Sequence, residues 1–281
     1  MMLFNLKEDI TMKNLTFILV LVSVINIASC NKTDDQKLEN VNKNINETVN
    51  ESEITGKPTF ESYISDGDAK LKAKRYKEAE EKYTTAINMN PRSLRAFNKR
   101  GFVRTVLRDY KGALEDFDRA LELQDDYMAA FYNRAKLKID TGDFDSAIDD
   151  LNRIIMKKSD ANAYNLRGYA KYNQGRYNEA ITDYTIAIEL NENHIEAYFN
   201  RGDARDKTKE YFGAISDYTN VSRLDPKNIF AYMNRGMIKE KIKDYNGAIA
   251  DYNTALKIAS DLGIELDSKY KKIFEGIEER I

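Results

Sequence analysis

The sequence predicts an all-α fold, a solenoid of six stacked antiparallel helix pairs, and three observations predict it. A Tyr-x-x-Ala type of segment recurs with its Ala at 79, 113, 147, 180, 214 and 248, spaced by 34 residues with one interval of 33; periods of this length mark stacked supersecondary units. Inside each period, aromatic and small residues return at helical spacing on two separate faces. Only three prolines interrupt the 281 residues, and two of them, Pro91 and Pro226, close a period.

Residues 1–29 are expected to be a targeting segment. From Met12 the chain has a charged start (Lys13), an apolar stretch from Leu15 to Ala28, and then Ser29-Cys30. That stretch is too short for a stable spanning helix, which needs roughly 20 apolar residues. Residues 1–11 dilute the positive start with Glu8 and Asp9, so Met12 is the better initiator. Ile27-Ala28-Ser29-Cys30 resembles the lipobox of bacterial lipoproteins. The resemblance implies a lipoprotein-type signal peptide, cleavage before Cys30 and lipid attachment at Cys30. It further implies a chain anchored to a membrane of the bacterial cell envelope and facing the periplasm or the cell exterior. Several acyl chains on one Cys would meet the requirement that stable anchoring takes more than one insertion. Residues 30–58, rich in Asn, Lys, Glu, Asp and Thr, bury too little apolar area to offset ordering and are expected to be a flexible polar tether.

The periods occupy residues 59–262 as six blocks, 60–93, 94–127, 128–160, 161–194, 195–228 and 229–262. The fourth position is aromatic throughout: Tyr63, Phe97, Phe131, Tyr164, Tyr198, Tyr232. The eighth is small: Gly67, Gly101, Ala135, Gly168, Gly202, Gly236. Position 17 is aromatic again, position 20 is Ala, and position 24 is large: Tyr83, Phe117, Leu151, Tyr184, Tyr218, Tyr252. Positions 4, 8 and 11 share one face of a first helix, and 20, 24 and 27 one face of a second. The small residues then allow two backbones to approach while the aromatics fill the space beside them. Position 7 is Arg in blocks two to six (Arg100, Arg134, Arg167, Arg201, Arg235). Position 23 is Asp in the same blocks (Asp116, Asp150, Asp183, Asp217, Asp251), and block one reverses both signs with Asp66 and Lys82. The joint reversal predicts an ion pair between the two helices of each block. Residues 263–281 carry Tyr270, Ile273, Phe274, Ile277 and Ile281 on one stripe and are expected to form a C-terminal capping helix over the open end.

The six blocks resemble the tetratricopeptide repeat, with Arg at position 7 and the short third block as departures. The resemblance implies a right-handed superhelical solenoid whose first helices line a concave groove through positions 2, 5, 6, 9, 12 and 13. Those positions give Asn98, Lys99, Phe102, Tyr132, Asn133, Lys136, Asn165, Tyr169, Tyr172, Phe199, Asn200 and Asp203, with Phe230, Met233, Asn234 and Met237 from the last block. Amides and aromatics in that mixture suit an extended protein or peptide partner. The carboxylate clamp of chaperone-tail-binding members is not expected, because no block pairs Lys at position 5 with Asn at position 9.

Other chemistries find little support. A net charge of −2 from 44 basic and 46 acidic residues offers no field for nucleic acid. One Cys and one His leave neither a disulfide nor a zinc set. His194 falls in a turn between blocks and is expected on the surface, and no cofactor motif occurs. The expected role is a non-enzymatic scaffold or adaptor. The alternatives are a self-associating structural component of the envelope or a non-catalytic subunit of an envelope enzyme complex.

Overall fold

A computed structural model describes residues 58–264, and among them all regular structure is helical. The expected signal peptide, Cys30 and the residues of the tether before Pro58 lie outside the described residues, as does the apolar stripe of the expected capping helix. A first compact unit ends at Ser62 and a second begins at Tyr63; where the first is described, the Thr59 hydroxyl accepts from the Ser62 N–H at the start of a helix.

Twelve helices follow one another among the described residues: α1 (Phe60–Lys72), α2 (Tyr76–Met89), α3 (Leu94–Val106), α4 (Tyr110–Leu123), α5 (Met128–Asp140), α6 (Phe144–Lys157), α7 (Ala161–Asn173), α8 (Tyr177–Leu190), α9 (Ile195–Lys207), α10 (Tyr211–Leu224), α11 (Ile229–Lys241) and α12 (Tyr245–Asp261). Every first helix opens at position 1 of a block and every second helix at position 17. The turn between them is fixed by a left-handed residue at position 15, a geometry in which orphan carbonyls of the first helix are capped. It is Gly142 and Gly175 in two pairs, but Lys74, Arg108, Lys209 and Lys243 elsewhere, with φ between 58° and 65°. First helices are N-capped by Ser93, Asp160, His194 and Asn228, each accepting from the N–H three residues on. The residue missing from the third block is absent from the turn between α6 and α7. Pro91 and Pro226 follow the ends of α2 and α10, yet α4 and α8 stop at the same place without proline. Only α12 runs on, to Asp261.

Packing within a pair is a contact between one small and one large residue. A Cβ placed on Gly67, Gly101, Gly168, Gly202 or Gly236 would come within 2.5–2.9 Å of the ring at position 24 of the same pair. The third pair shows the compensation: Ala135 stands where the others have Gly, and the facing residue is Leu151, with both fully buried. Two core rows escaped the sequence pattern. Position 3 is Ala96, Ala130, Ala163, Ala197 and Ala231, all at 0 % exposure; in the fifth and sixth pairs it packs against position 27 of the preceding second helix, Ala187 and Val221. Position 10, as Leu137, Ala204 and Ile238, seals positions 20 and 24 of the preceding pair. Small residues thus recur between pairs as well as within them.

The expected ion pairs are present in all six pairs. In the first, Lys82 meets Asp66 at 2.7 Å. In the others Arg100, Arg134, Arg167, Arg201 and Arg235 clasp Asp116, Asp150, Asp183, Asp217 and Asp251 with two nitrogens each. Two features exceed the expectation. Position 11 brings a second cation to each of these aspartates, Arg104, Lys138, Lys171, Arg205 and Lys239, at 2.7–3.0 Å. The free end of each Arg then reaches position 25 of the preceding pair, at Thr84, Asp118, Asn152, Thr185 or Thr219. Each guanidinium also lies 5.2–5.7 Å from the centre of the aromatic ring at position 4 of its own helix. One side chain therefore ties three helices together.

Candidate functional site

Besides packing on second helices, neighbouring first helices touch one another directly at α3–α5, α5–α7 and α7–α9, as they do on the inner side of a curved stack. Twelve of the sixteen expected groove residues stand on these four helices, and the other four on α11. Among them Lys136 and three aromatics stand open, Phe102 at 39 %, Tyr169 at 41 % and Phe230 at 58 % exposure. Tyr132, Tyr172, Phe199 and Met237 are half-buried. Phe199 sits edge-on to Tyr218 with ring centres 5.6 Å apart, and Tyr172 edge-on to Tyr177 at 5.3 Å.

The polar residues of this face do more internal work than expected. Position 6 of one pair reaches back to position 5 or 9 of the pair before it. Lys99 Nζ donates to Asp68 Oδ1 at 2.7 Å, Asn133 Nδ2 to Asn98 Oδ1 at 3.0 Å, Asn200 Nδ2 to Asn165 Oδ1 at 3.0 Å, and Asn234 Nδ2 to Asp203 Oδ1 at 3.2 Å. Asn98 is buried. An amide has two donors and two lone pairs, so each Asn keeps capacity for a ligand, but part of it joins the pairs. Met233 departs from the expectation: it is 2 % exposed and packs with Ile229, Ala255 and Ala259. Ala259, in the extra turn of α12, packs against it together with Ala255.

His194 departs too. It is 6 % exposed and caps α9 through Nδ1, 3.4 Å from the Ala197 N–H, so it is a buried cap rather than a surface residue.

A concavity that gathers four of the expected residues lies across the last three pairs. It has a volume of about 240 Å³ and is lined by Tyr172, Asp203, Asn234 and Met237, with Asp206, Lys207, Tyr218, Ile238 and Lys241 added. Asp206 and Lys241 occupy positions 12 and 13, so the positional rule held their signal; Tyr218 read only as a space-filler. Lys241 Nζ is bound to the Asp206 carboxylate. Asp203 Oδ1 accepts from the Tyr218 hydroxyl at 2.6 Å. Burial, then Asp206 nearby, push the Asp203 carboxyl above its usual range against the pull of these hydrogen bonds. Burial also pushes the Tyr172 phenol up to about 12. Among the described residues the adjoining Tyr184 hydroxyl, fully buried, has no hydrogen-bond partner, because position 9 of its own pair is Tyr169 where the first and fifth pairs have Asp.

Comparison with known proteins agrees with the fold. Tetratricopeptide-repeat family models match residues 66–127, 104–164, 168–209 and 231–262. No curated protein matches by sequence. Among solved structures, YrrB, a TPR protein described as having an unusual peptide-binding site, is 22 % identical, with 64 % of this chain and 93 % of that one covered at a TM-score of 0.53. MamA from Desulfovibrio magneticus RS-1 is 19 % identical over 60 % of this chain and 96 % of its own, at 0.56. PilF from Pseudomonas aeruginosa is 16 % identical over 77 % and 96 %, at 0.65. At these identities the likeness is one of fold. Family models and fold together make the helix pairs of this chain an array of tetratricopeptide repeats.

Proposed function

We propose that this chain is a non-enzymatic scaffold or adaptor that holds a protein or peptide partner on the inner face of its repeats, and that lipid on Cys30 anchors it to a bacterial envelope membrane, facing the periplasm or the cell exterior. The observation that carries the binding half is the row of open aromatics, Phe102, Tyr169 and Phe230, on a face whose amides keep hydrogen-bonding capacity. Rigid rings offer contact area at low entropy cost, and tetratricopeptide repeats are a fold of peptide and protein binders, YrrB being one whose description names a peptide-binding site. The anchoring half rests on Ile27-Ala28-Ser29-Cys30 after a short apolar stretch.

A photo-crosslinking residue placed at Tyr169 or Phe230 in the native envelope should capture a defined partner, and one placed at Met156, 83 % exposed on α6, should not. Equal capture from both would move the site off the inner face. Metabolic labelling with a fatty-acid analogue should mark the wild type and spare Cys30→Ser, with the variant leaving the membrane fraction. An unlabelled wild type would remove the anchor. Self-association is the second reading, favoured by Phe212, 80 % exposed on α10. Mass that rises with concentration and falls back in Phe212→Ser would support it.

A further inference from the structure

The first and fifth pairs carry the same two side chains at the same two positions, Asp at 9 and Tyr at 24, and they differ in what comes next. In the first pair, Tyr83 donates to Asp68 Oδ1 at 2.6 Å and Lys99 of the following pair donates to the same oxygen at 2.7 Å. Burial opposes the Asp68 charge, yet the bonds from Lys99 and Tyr83 outweigh it and hold the carboxyl below its usual range. In the fifth pair, Tyr218 donates to Asp203 at 2.6 Å in the same way, but position 6 of the following pair is Asn234. Among the described residues no cation lies within ion-pair distance of Asp203; its neighbour Asp206 has taken Lys241. The fifth pair thus repeats the first without an ammonium bound to that oxygen, and beside it opens a cavity of about 240 Å³ lined by Asp203, Tyr172, Asn234 and Met237, with Lys207 and the Asp206–Lys241 pair also on its wall.

A carboxylate withdrawn from water without a counter-charge is costly, and a ligand that supplies one recovers that cost. We propose that the cavity at Asp203 is a pocket for a lysine or arginine side chain of the bound partner, the partner's cation standing to Asp203 as Lys99 stands to Asp68. Met237 offers apolar surface to the methylene stem, and the Tyr172 ring can face the charge. Other charges on the inner face of the last three pairs fit the same sign, with Glu196, Asp206 and Glu240 set against Lys207 and Lys241. This rests on the inner-face reading above and names the class of residue that face selects.

The test is selection of a random peptide library displayed on phage against the purified wild type, Asp203→Asn and Asn234→Lys. The last variant installs inside the chain the pair that Lys99 and Asp68 form. In the wild type, lysine or arginine should dominate one library position. Replacing it by norleucine in a synthetic peptide should weaken binding about tenfold or more, as for a desolvated charge pair. Asp203→Asn should abolish the preference, and Asn234→Lys should abolish it with no fall in melting temperature. Peptides selected without a basic position, but lost in Tyr169→Ala with Phe199→Ala, would overturn the pocket and leave the binding face standing. Failure to select any peptide would overturn both. Equal saturation of the site by n-butylammonium and by the basic peptide would overturn the assignment to a partner's side chain and leave a free-amine site.

Discussion

At the level of single residues, the fold depends on how closely two backbones approach and on what charge is buried between them. Gly101 faces Phe117, and a Cβ there would lie 2.7 Å from the ring; Gly101→Ala should therefore cost about 1–3 kcal/mol by overpacking. The third pair solves the same contact as Ala135 with Leu151. Gly101→Ala combined with Phe117→Leu should therefore be more stable than Gly101→Ala alone, which urea unfolding of both would check. Asp217 is 1 % exposed and neutralised by Arg201 and Arg205. Asp217→Ala leaves two cations facing a dry site and should cost about 3 kcal/mol. A double-mutant cycle on Arg201 and Asp217 should return a coupling above about 1 kcal/mol; a value near zero would mean the pair is ornamental. The Arg and Asp positions were legible because their signs reverse together in the first block. The second cation at position 11 was not, since two Arg and three Lys at that spacing look like any solvated helix face until the aspartate is seen between them.

Among the elements, the turn inside each pair holds a small reserve of strain. Lys209 sits at φ 65° where two other pairs have Gly. A non-glycine residue in that region loses about 1–2 kcal/mol, and Gly returns part of any gain through the greater freedom of its unfolded chain. Lys209→Gly should therefore raise stability by about 0.5–1 kcal/mol, and Gly175→Ala should lower it by a similar amount. Thermal unfolding of the two variants would show opposite shifts. The starts of the second helices were legible, because an aromatic marks position 17 of every block. The end of α12 was not: Met233 counted as a surface residue by position, yet it packs with Ala255 and with Ala259 in the longer helix. His194 misled for a related reason, since a turn residue that caps a helix is pulled inward by the stack above it.

Across the molecule, stability in a stacked array is the sum of each pair and its junctions. The five junctions are unequal. Docking of α4 on α5 is the sparsest, and beside it opens a cleft of about 530 Å³ lined by Leu121, Phe131, Arg134 and Arg153. Hydrogen exchange should find this junction opening before the others, with amides of α1–α4 and of α5–α12 exchanging as two groups. A single protection level throughout would show a uniform array.

What the sequence determined by itself is everything that repeats: helix pairs, their register, the small-against-large contact and the charge pair all follow from local periodicity, because each period reports the same face to the same neighbour. The tertiary structure decided what depends on comparing one period with the next. Asp68 and Asp203 are the same residue at the same position, and only the side chain arriving from the following pair, Lys99 or Asn234, makes one a filled ion pair and the other an open carboxylate. Contacts of that kind form between residues about thirty apart, and no pattern within a single helix carries them.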